Sequence, residues 1–128
     1  MTSELVELDR ISDYPAYWAA RYPDREAAVL GDIRWSYAEL ARQVDVYARA
    51  LWAHGVRHDD RIAVLATPRP ESLCLFLAAA RIGAMFTGLN LRFQYEELRY
   101  VVADSQPRLI SPSACGGSLI SQRANEGR

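Results

Sequence analysis

Residues 61–66 read Arg-Ile-Ala-Val-Leu-Ala, with five apolar side chains in succession and no polar face left for water. A strand of this kind needs cover on both faces, which is the setting of an inner strand in a parallel α/β sheet. The following segment agrees. After the breaking stretch Thr67-Pro68-Arg69-Pro70, residues 71–82 read as a helix that is apolar almost all round, with Ala78-Ala79-Ala80 on successive faces and Gly83 as its stop. Such a helix should be covered on more than one side. Residues 85–89 follow as a second inner strand, 95–103 as a helix turning Leu98, Val101 and Val102 inward, and 108–110 as a third strand. Strand, helix, strand, helix, strand with short connections predicts parallel pairing through right-handed crossovers.

Upstream, Asp13 is placed to cap a short helix carrying Tyr14, Tyr17 and Trp18, ended by Tyr22-Pro23-Asp24. Residues 27–30 and 33–37 flank Gly31-Asp32, the signal of a hairpin with a two-residue turn. Ser36 and Glu39 form a capping-box pattern at the start of a helix. Its apolar positions Leu40, Val44, Tyr47, Ala48 and Leu51 share a face, Asp45 and Arg49 can pair one turn apart, and His54-Gly55 closes it. The fold class is therefore α/β: a partial parallel sheet of βαβ units, preceded by an N-terminal helix and hairpin.

At 128 residues, half of them apolar, the chain can build one core and not two. Fifteen basic against sixteen acidic side chains leave a net charge of −1, so no long-range field favours nucleic acid or anionic lipid. The start, MTSELVELDR, carries acidic residues where a signal peptide has basic and apolar ones, and points to the cytoplasm. The apolar run 73–80 is far short of the ~20 residues of a membrane span, so no transmembrane segment is expected. Cys74 in its apolar helix and Cys115 in a polar segment read as two reduced thiols.

Few residues offer chemistry. Gly83 and Gly88 have the spacing that opens a phosphate-binding loop, but Leu89 and Asn90 stand where its Lys and Ser/Thr belong, and the segment leaves a helix for a strand. They read instead as a helix stop and a close backbone contact. His54 and His58 are separated by Gly55, which ends the helix that would have to carry both as metal ligands; they read as solvated loop residues. Asp59 and Asp60, beside Arg57 and Arg61, read as a solvated turn and not a cation site. Arg69 and Arg92 fall in loops at the strand ends where open sheets bind ligands, with surface arginines as the competing reading. Trp18, Trp35 and Trp52 read as core or half-buried packing. Cys74, among apolar neighbours, reads as core. No catalytic or metal-binding residue is assigned, and cofactor-binding residues are left open.

Taken in order, several pieces resemble the opening of the AMP-forming adenylating enzymes, the superfamily of acyl-CoA synthetases, luciferases and peptide-synthetase adenylation domains. Tyr22-Pro23-Asp24-Arg25-Glu26-Ala27-Ala28 is similar to the family's opening segment, and Trp35-Ser36-Tyr37-Ala38-Glu39-Leu40 to its first signature. Gly55-Val56 and Asp60-Arg61-Ile62-Ala63-Val64-Leu65 resemble its approach to the inner strand. Leu77-Ala78-Ala79-Ala80-Arg81-Ile82-Gly83-Ala84 resembles its second signature, and Gly88-Leu89-Asn90-Leu91-Arg92 with Glu96-Glu97-Leu98 carries the pattern on towards Ile110. The chain departs from it at Asp59 (often Gly), Leu91 (often Pro) and Gln94-Tyr95 (usually Thr-Pro), the last removing a helix cap worth about 1 kcal/mol.

The resemblance implies ATP-dependent activation of a carboxylic acid to an acyl-adenylate and then an acyl-CoA, using ATP, magnesium and CoA. It also implies that the phosphate loop, adenine-binding motifs and catalytic lysine come later than anything in this chain, so no cofactor is expected to be held here. Cys115-Gly116-Gly117-Ser118 lacks the residues that follow a true phosphate loop. On this reading residues 1–110 are the N-terminal part of a synthetase/ligase domain, 111–128 a flexible polar tail, and the missing remainder of the ligase is the expected partner. A non-catalytic interaction module, or one half of a split enzyme, is the alternative. Gly-Leu-Asn before an Arg favours fatty- or medium-chain acyl-CoA synthetases within the superfamily.

Overall fold

The computed structural model describes residues 5–65 and 68–112. At its centre is β3 (Arg61–Leu65), paired in parallel with β4 (Met85–Leu89) on one side and β5 (Leu109–Pro112) on the other. Ile62 lies opposite Phe86 and Leu109, and Val64 opposite Gly88 and Ser111. These share one face of the sheet, and Ala63 and Leu65 point to the other. Ile62, Ala63 and Val64 are all buried, so both faces are covered at β3. Ala66, placed in this strand from the sequence, lies outside the described residues.

Three helices supply the cover. On one face, Ala48 and Leu51 of α2 (Tyr37–Ala53) and Leu75, Ala78 and Ala79 of α3 (Pro70–Ile82) close on Ile62, Val64 and Leu109. The small alanines let α3 approach the strands closely. On its next side α3 presents Cys74 and Leu77 to Leu40 and Val44 of α2, together with Ala27 and Trp35 of the hairpin. The all-round apolar helix is thus covered twice. Its third side is not, since Leu73 is 40% and Phe76 38% exposed. Right-handed crossovers from β3 to β4, then back past β3 to β5, run in opposite directions and so put α3 and α4 (Tyr95–Ser105) on opposite faces. Leu98, Val101 and Val102 of α4 are half-buried, and no residue of that helix is fully buried.

Two expectations about strands change. β4 was expected to be an inner strand; among the described residues it pairs only with β3, and Met85 is 44% exposed. The third strand begins one residue later and runs to Pro112, past the expected end at Ile110, because β3 still offers Val64 and Leu65 opposite Ser111 and Pro112. The hairpin is as expected: β1 (Glu26–Leu30) and β2 (Ile33–Ser36) pair antiparallel, with Leu30 opposite Ile33 and Gly31 at a φ of 56° in the turn.

The helix ends show where local signals were redirected. Ser36 Oγ accepts from Glu39 N at 3.2 Å, half of the expected capping box. The other half is absent, because the Glu39 carboxylate is taken by Arg42 at 2.6 Å and Gln43 at 3.0 Å. Arg42 first, then Gln43, holds that carboxyl below its ordinary range. Asp13 sits at the N-cap of α1 (Tyr14–Arg21), but with helical backbone, so its carboxylate does not cap and instead meets Arg10 at 3.1 Å. At α4 the missing Thr-Pro is replaced from within: Glu97 reaches back to accept from Gln94 N at 2.7 Å, and the helix starts at Tyr95. Asp45 pairs with Arg49 at 2.9 Å as expected, and also with Arg81 of α3 at 3.3 Å, tying the two core helices together.

Gly83 ends α3 in the left-handed region, with φ at 75°. A Cβ there would also run into the His58 imidazole, which is exposed and free to swing away, so the backbone angle is the lasting cost. Asp59, at a φ of 66°, is the milder case, since Asp tolerates the left-handed region better than most residues. In urea melts, Gly83→Ala should therefore lose about 1–2 kcal/mol, whereas Asp59→Gly should stay within about 1 kcal/mol of the parent; a Gly83→Ala melt that overlays the parent would contradict this account of the helix stop.

Candidate functional site

The carboxyl ends of parallel strands are where open α/β sheets bind ligands, because loops there diverge and helix N-termini point at the same edge. Here that edge is formed by the start of α3 and by residues 90–94 after β4. Arg69 has extended backbone at the N-cap of α3, and its Nε lies 3.3 Å from Glu71. Both side chains are half-buried or less exposed, so the guanidinium at this edge is already neutralised. In the other loop Asn90 folds the chain on itself: its Oδ1 accepts from Arg92 N at 2.9 Å, and its carbonyl accepts from Phe93 N at 3.1 Å. This turn presents Leu91, Arg92 and Phe93 to solvent. Arg92 has no ion pair among the described residues. Arg69 is thus a tied residue and Arg92 a surface one; Glu71, which sets the first environment, was not singled out from the sequence, and Asn90, which sets the second, was read only as a place where the phosphate-loop pattern fails.

The remaining candidates lie at the opposite edge or in the core. His54 Nδ1 is 2.8 Å from the Ala50 carbonyl at the end of α2, while His58 pairs with Asp59 at 3.1 Å. Asp60 accepts from Arg57 N at 2.7 Å and Asp59 N donates to the Gly83 carbonyl at 2.9 Å. Backbone bonds from Asp59 N to the Gly83 carbonyl and from Met85 N to the Asp60 carbonyl, at 2.8 Å, join the loop between α2 and β3 to the end of α3, while the side chains of His54, His58 and Asp59 are exposed. Among the described residues no group of three His, Cys, Asp or Glu side chains could hold a metal ion.

The three tryptophans separate. Trp18 joins Tyr17, Tyr22 and Tyr37 in an aromatic group, and Trp35 packs on the core cluster of Leu40, Val44, Cys74 and Leu77. Trp52 departs from the packing expectation. It is 53% exposed on α2, with the Arg57 guanidinium stacked 3.6 Å from its ring centroid; Arg57 also donates to the Trp52 and Val56 carbonyls and so needs the end of the helix. Gly88 departs too. A Cβ there would meet only Phe86 Cε1, at an ordinary 3.8 Å, so no backbone approach requires glycine. Cys115 and Gly116-Gly117-Ser118 lie outside the described residues.

Burial, then the nearby Glu71 and Glu39 carboxylates, pushes the Cys74 thiol up to about 12. Burial foremost, then Cys74 and Glu71, raises Tyr47 as well. Both are therefore neutral packing groups with no nucleophilic character at neutral pH. Because the folded-state value of Cys74 lies above its ordinary 9.0, the neutral thiol stabilises the fold fully below that pH and the contribution is lost as pH rises towards 12. In a Cys115→Ser chain, a thiol reagent at pH 8 should label Cys74 only as fast as the chain unfolds. Labelling of the native protein at the rate of a free thiol would reject this environment.

An open parallel α/β sheet with loops at the carboxyl ends of its strands defines a class of ligand-binding folds without choosing the ligand. A model of the family described as "AMP-binding enzyme" matches residues 16–125, and the chain belongs to that family. Among its relatives, the 3-hydroxybenzoate–CoA ligase of Aromatoleum sp. (strain CIB) is 36% identical over 103 residues, which are 80% of this chain and 20% of that protein. Tyrocidine synthase 1 of Brevibacillus parabrevis is 30% identical over 102 residues, 80% of this chain and 9% of that one. The N-terminal domain of FACL13 from Mycobacterium tuberculosis superposes with a TM-score of 0.79 at 28% identity, over 84% of this chain and 27% of that chain. The chain thus spans a fifth or less of these two relatives. No helix among the described residues is long and apolar enough to cross a membrane.

Proposed function

We propose that this chain is an amino-terminal portion of an AMP-forming acyl-CoA ligase of fatty- or medium-chain acids, working in the cytoplasm, and that it supplies scaffold and not catalytic groups. One finding supports the reading above the others: the family model matches residues 16–125, while the relatives that the chain matches are several times longer; the raised thiol of Cys74 is buried in the core and belongs to no ligand edge. Among the described residues the edge offers one arginine already neutralised by Glu71 and one arginine in solvent. That donor set does not fit a magnesium-bound triphosphate, which needs several converging N–H groups and cations. Nucleotide, magnesium and CoA would be held by parts of the ligase outside these residues, and no step of the reaction is assigned to this chain. CoA ligation is supported by the names of several relatives, which include 3-hydroxybenzoate–CoA and indoleacetate–CoA ligases.

A split enzyme, or an interaction module, is the second reading. It is favoured by the uncovered third side of α3, which presents Leu73 and Phe76 to solvent.

The 128-residue chain, assayed alone for exchange of pyrophosphate into ATP with fatty acids present, should stay at the level of a heat-killed control. Exchange well above that control would overturn the scaffold reading.

A further inference from the structure

We infer that the amino edge of the sheet carries a docking surface for an acidic protein segment, built from Trp52 at the end of α2 and from Arg57, Arg61 and Arg108. All three arginines are exposed, and none has a carboxylate partner among the described residues. Helix ends hold them instead. Arg57 Nη1 donates to the Trp52 carbonyl at 2.8 Å and to the Val56 carbonyl at 2.9 Å, at the end of α2. Arg61 Nη1 donates to the Ser105 carbonyl at 3.3 Å, at the end of α4. Arg108 N donates to the Arg61 carbonyl at 2.7 Å, which sets these two residues side by side, and its guanidinium lies against Gly55, where a Cβ would come within 3.2 Å of Nη2. The nearby carboxylates leave the three guanidinia free: Asp60 accepts from Arg57 N, Asp59 pairs with His58, and Asp104 makes no ion pair with any of them.

The chemistry of the patch selects its occupant. A helix C-terminus attracts cations, so the two helix ends hold the guanidinia in place before a partner arrives, and less side-chain freedom is lost on binding. The fork of a guanidinium matches a carboxylate. Arg57 covers one face of the Trp52 ring, while that side chain stays half exposed, and a tryptophan among arginines is the composition of interface hot spots. A segment bearing several carboxylates and one apolar or aromatic side chain satisfies both parts, with its charges on the arginines and its ring on Trp52. A nucleic acid would need a longer basic track, and the chain as a whole carries a net charge of −1. The surface lies opposite the ligand edge, so its occupancy is independent of the ligase reading.

The test titrates the isotope-labelled 128-residue chain with the synthetic peptide Glu-Asp-Phe-Glu-Asp-Glu and follows the tryptophan indole and arginine Nε–H magnetic resonance signals. Those of Trp52, Arg57, Arg61 and Arg108 should shift, and that of Arg92 at the opposite edge should not. Arg108→Gln and Trp52→Ala should each weaken binding by about fivefold or more, and Arg92→Gln should leave it unchanged. Should Trp52→Ala fail to fold, Arg108→Gln decides alone. Raising the salt concentration should loosen the complex. No binding, binding indifferent to Arg108→Gln or to a folded Trp52→Ala, or shifts spread evenly over Arg92 and Arg99 would overturn the surface. Tighter binding of a thymidine oligonucleotide or of phosphatidylserine vesicles than of the peptide would give it to nucleic acid or to a membrane, and a dimer that Trp52→Ala splits would give it to a second copy; each of these also overturns the proposal.

Discussion

Burial of α3 on two sides at once is the constraint from which the rest of this structure follows. The helix can lie against Ile62, Val64 and Leu109 only because Ala78 and Ala79 let its axis come close, and it can meet Leu40 and Val44 only because Cys74 and Leu77 occupy the next face. Together these contacts place α2 and the hairpin relative to the sheet. Asp45 to Arg81 adds a polar tie between the helix and α2, while shape and apolar area on its two covered sides set its position. Burial of a typical leucine contributes about 1.5–3 kcal/mol, well above the 0–1 kcal/mol of an exposed ion pair.

The same packing acts on two ionisable groups of the core. The thiol and phenol nearest the α2–α3 contact are raised by desolvation, and Glu39 is lowered by partners on its own helix. Charged side chains elsewhere close helix ends, as Arg57 and Glu97 do.

How far the site was legible varied by residue. Arg69 and Arg92 were placed at the correct edge because loop positions follow directly from the strand pattern. That Glu71 neutralises one of them depends on side-chain direction two residues on, which spacing does not report. Gln94-x-x-Glu97 has the offset of a capping box, so the helix start is written in the sequence at the very place where the pattern's Thr-Pro is missing. Trp52 was placed with the core by its residue type, although Arg57, five residues on and past the helix end, is what covers its ring.

Periodicity and punctuation determined the elements by themselves. A short apolar run bounded by a polar loop and a Pro-rich break fits an inner strand by its length, whereas the longer run 73–80 is helical; glycines at left-handed angles end their helices, and alternating strands and helices make the sheet parallel. Strand order, the redirected caps and the Asp45 to Arg81 tie were decided only in three dimensions. Each joins groups far apart in the chain or lets one partner displace another, and competition between partners depends on distance in space, which local sequence does not encode.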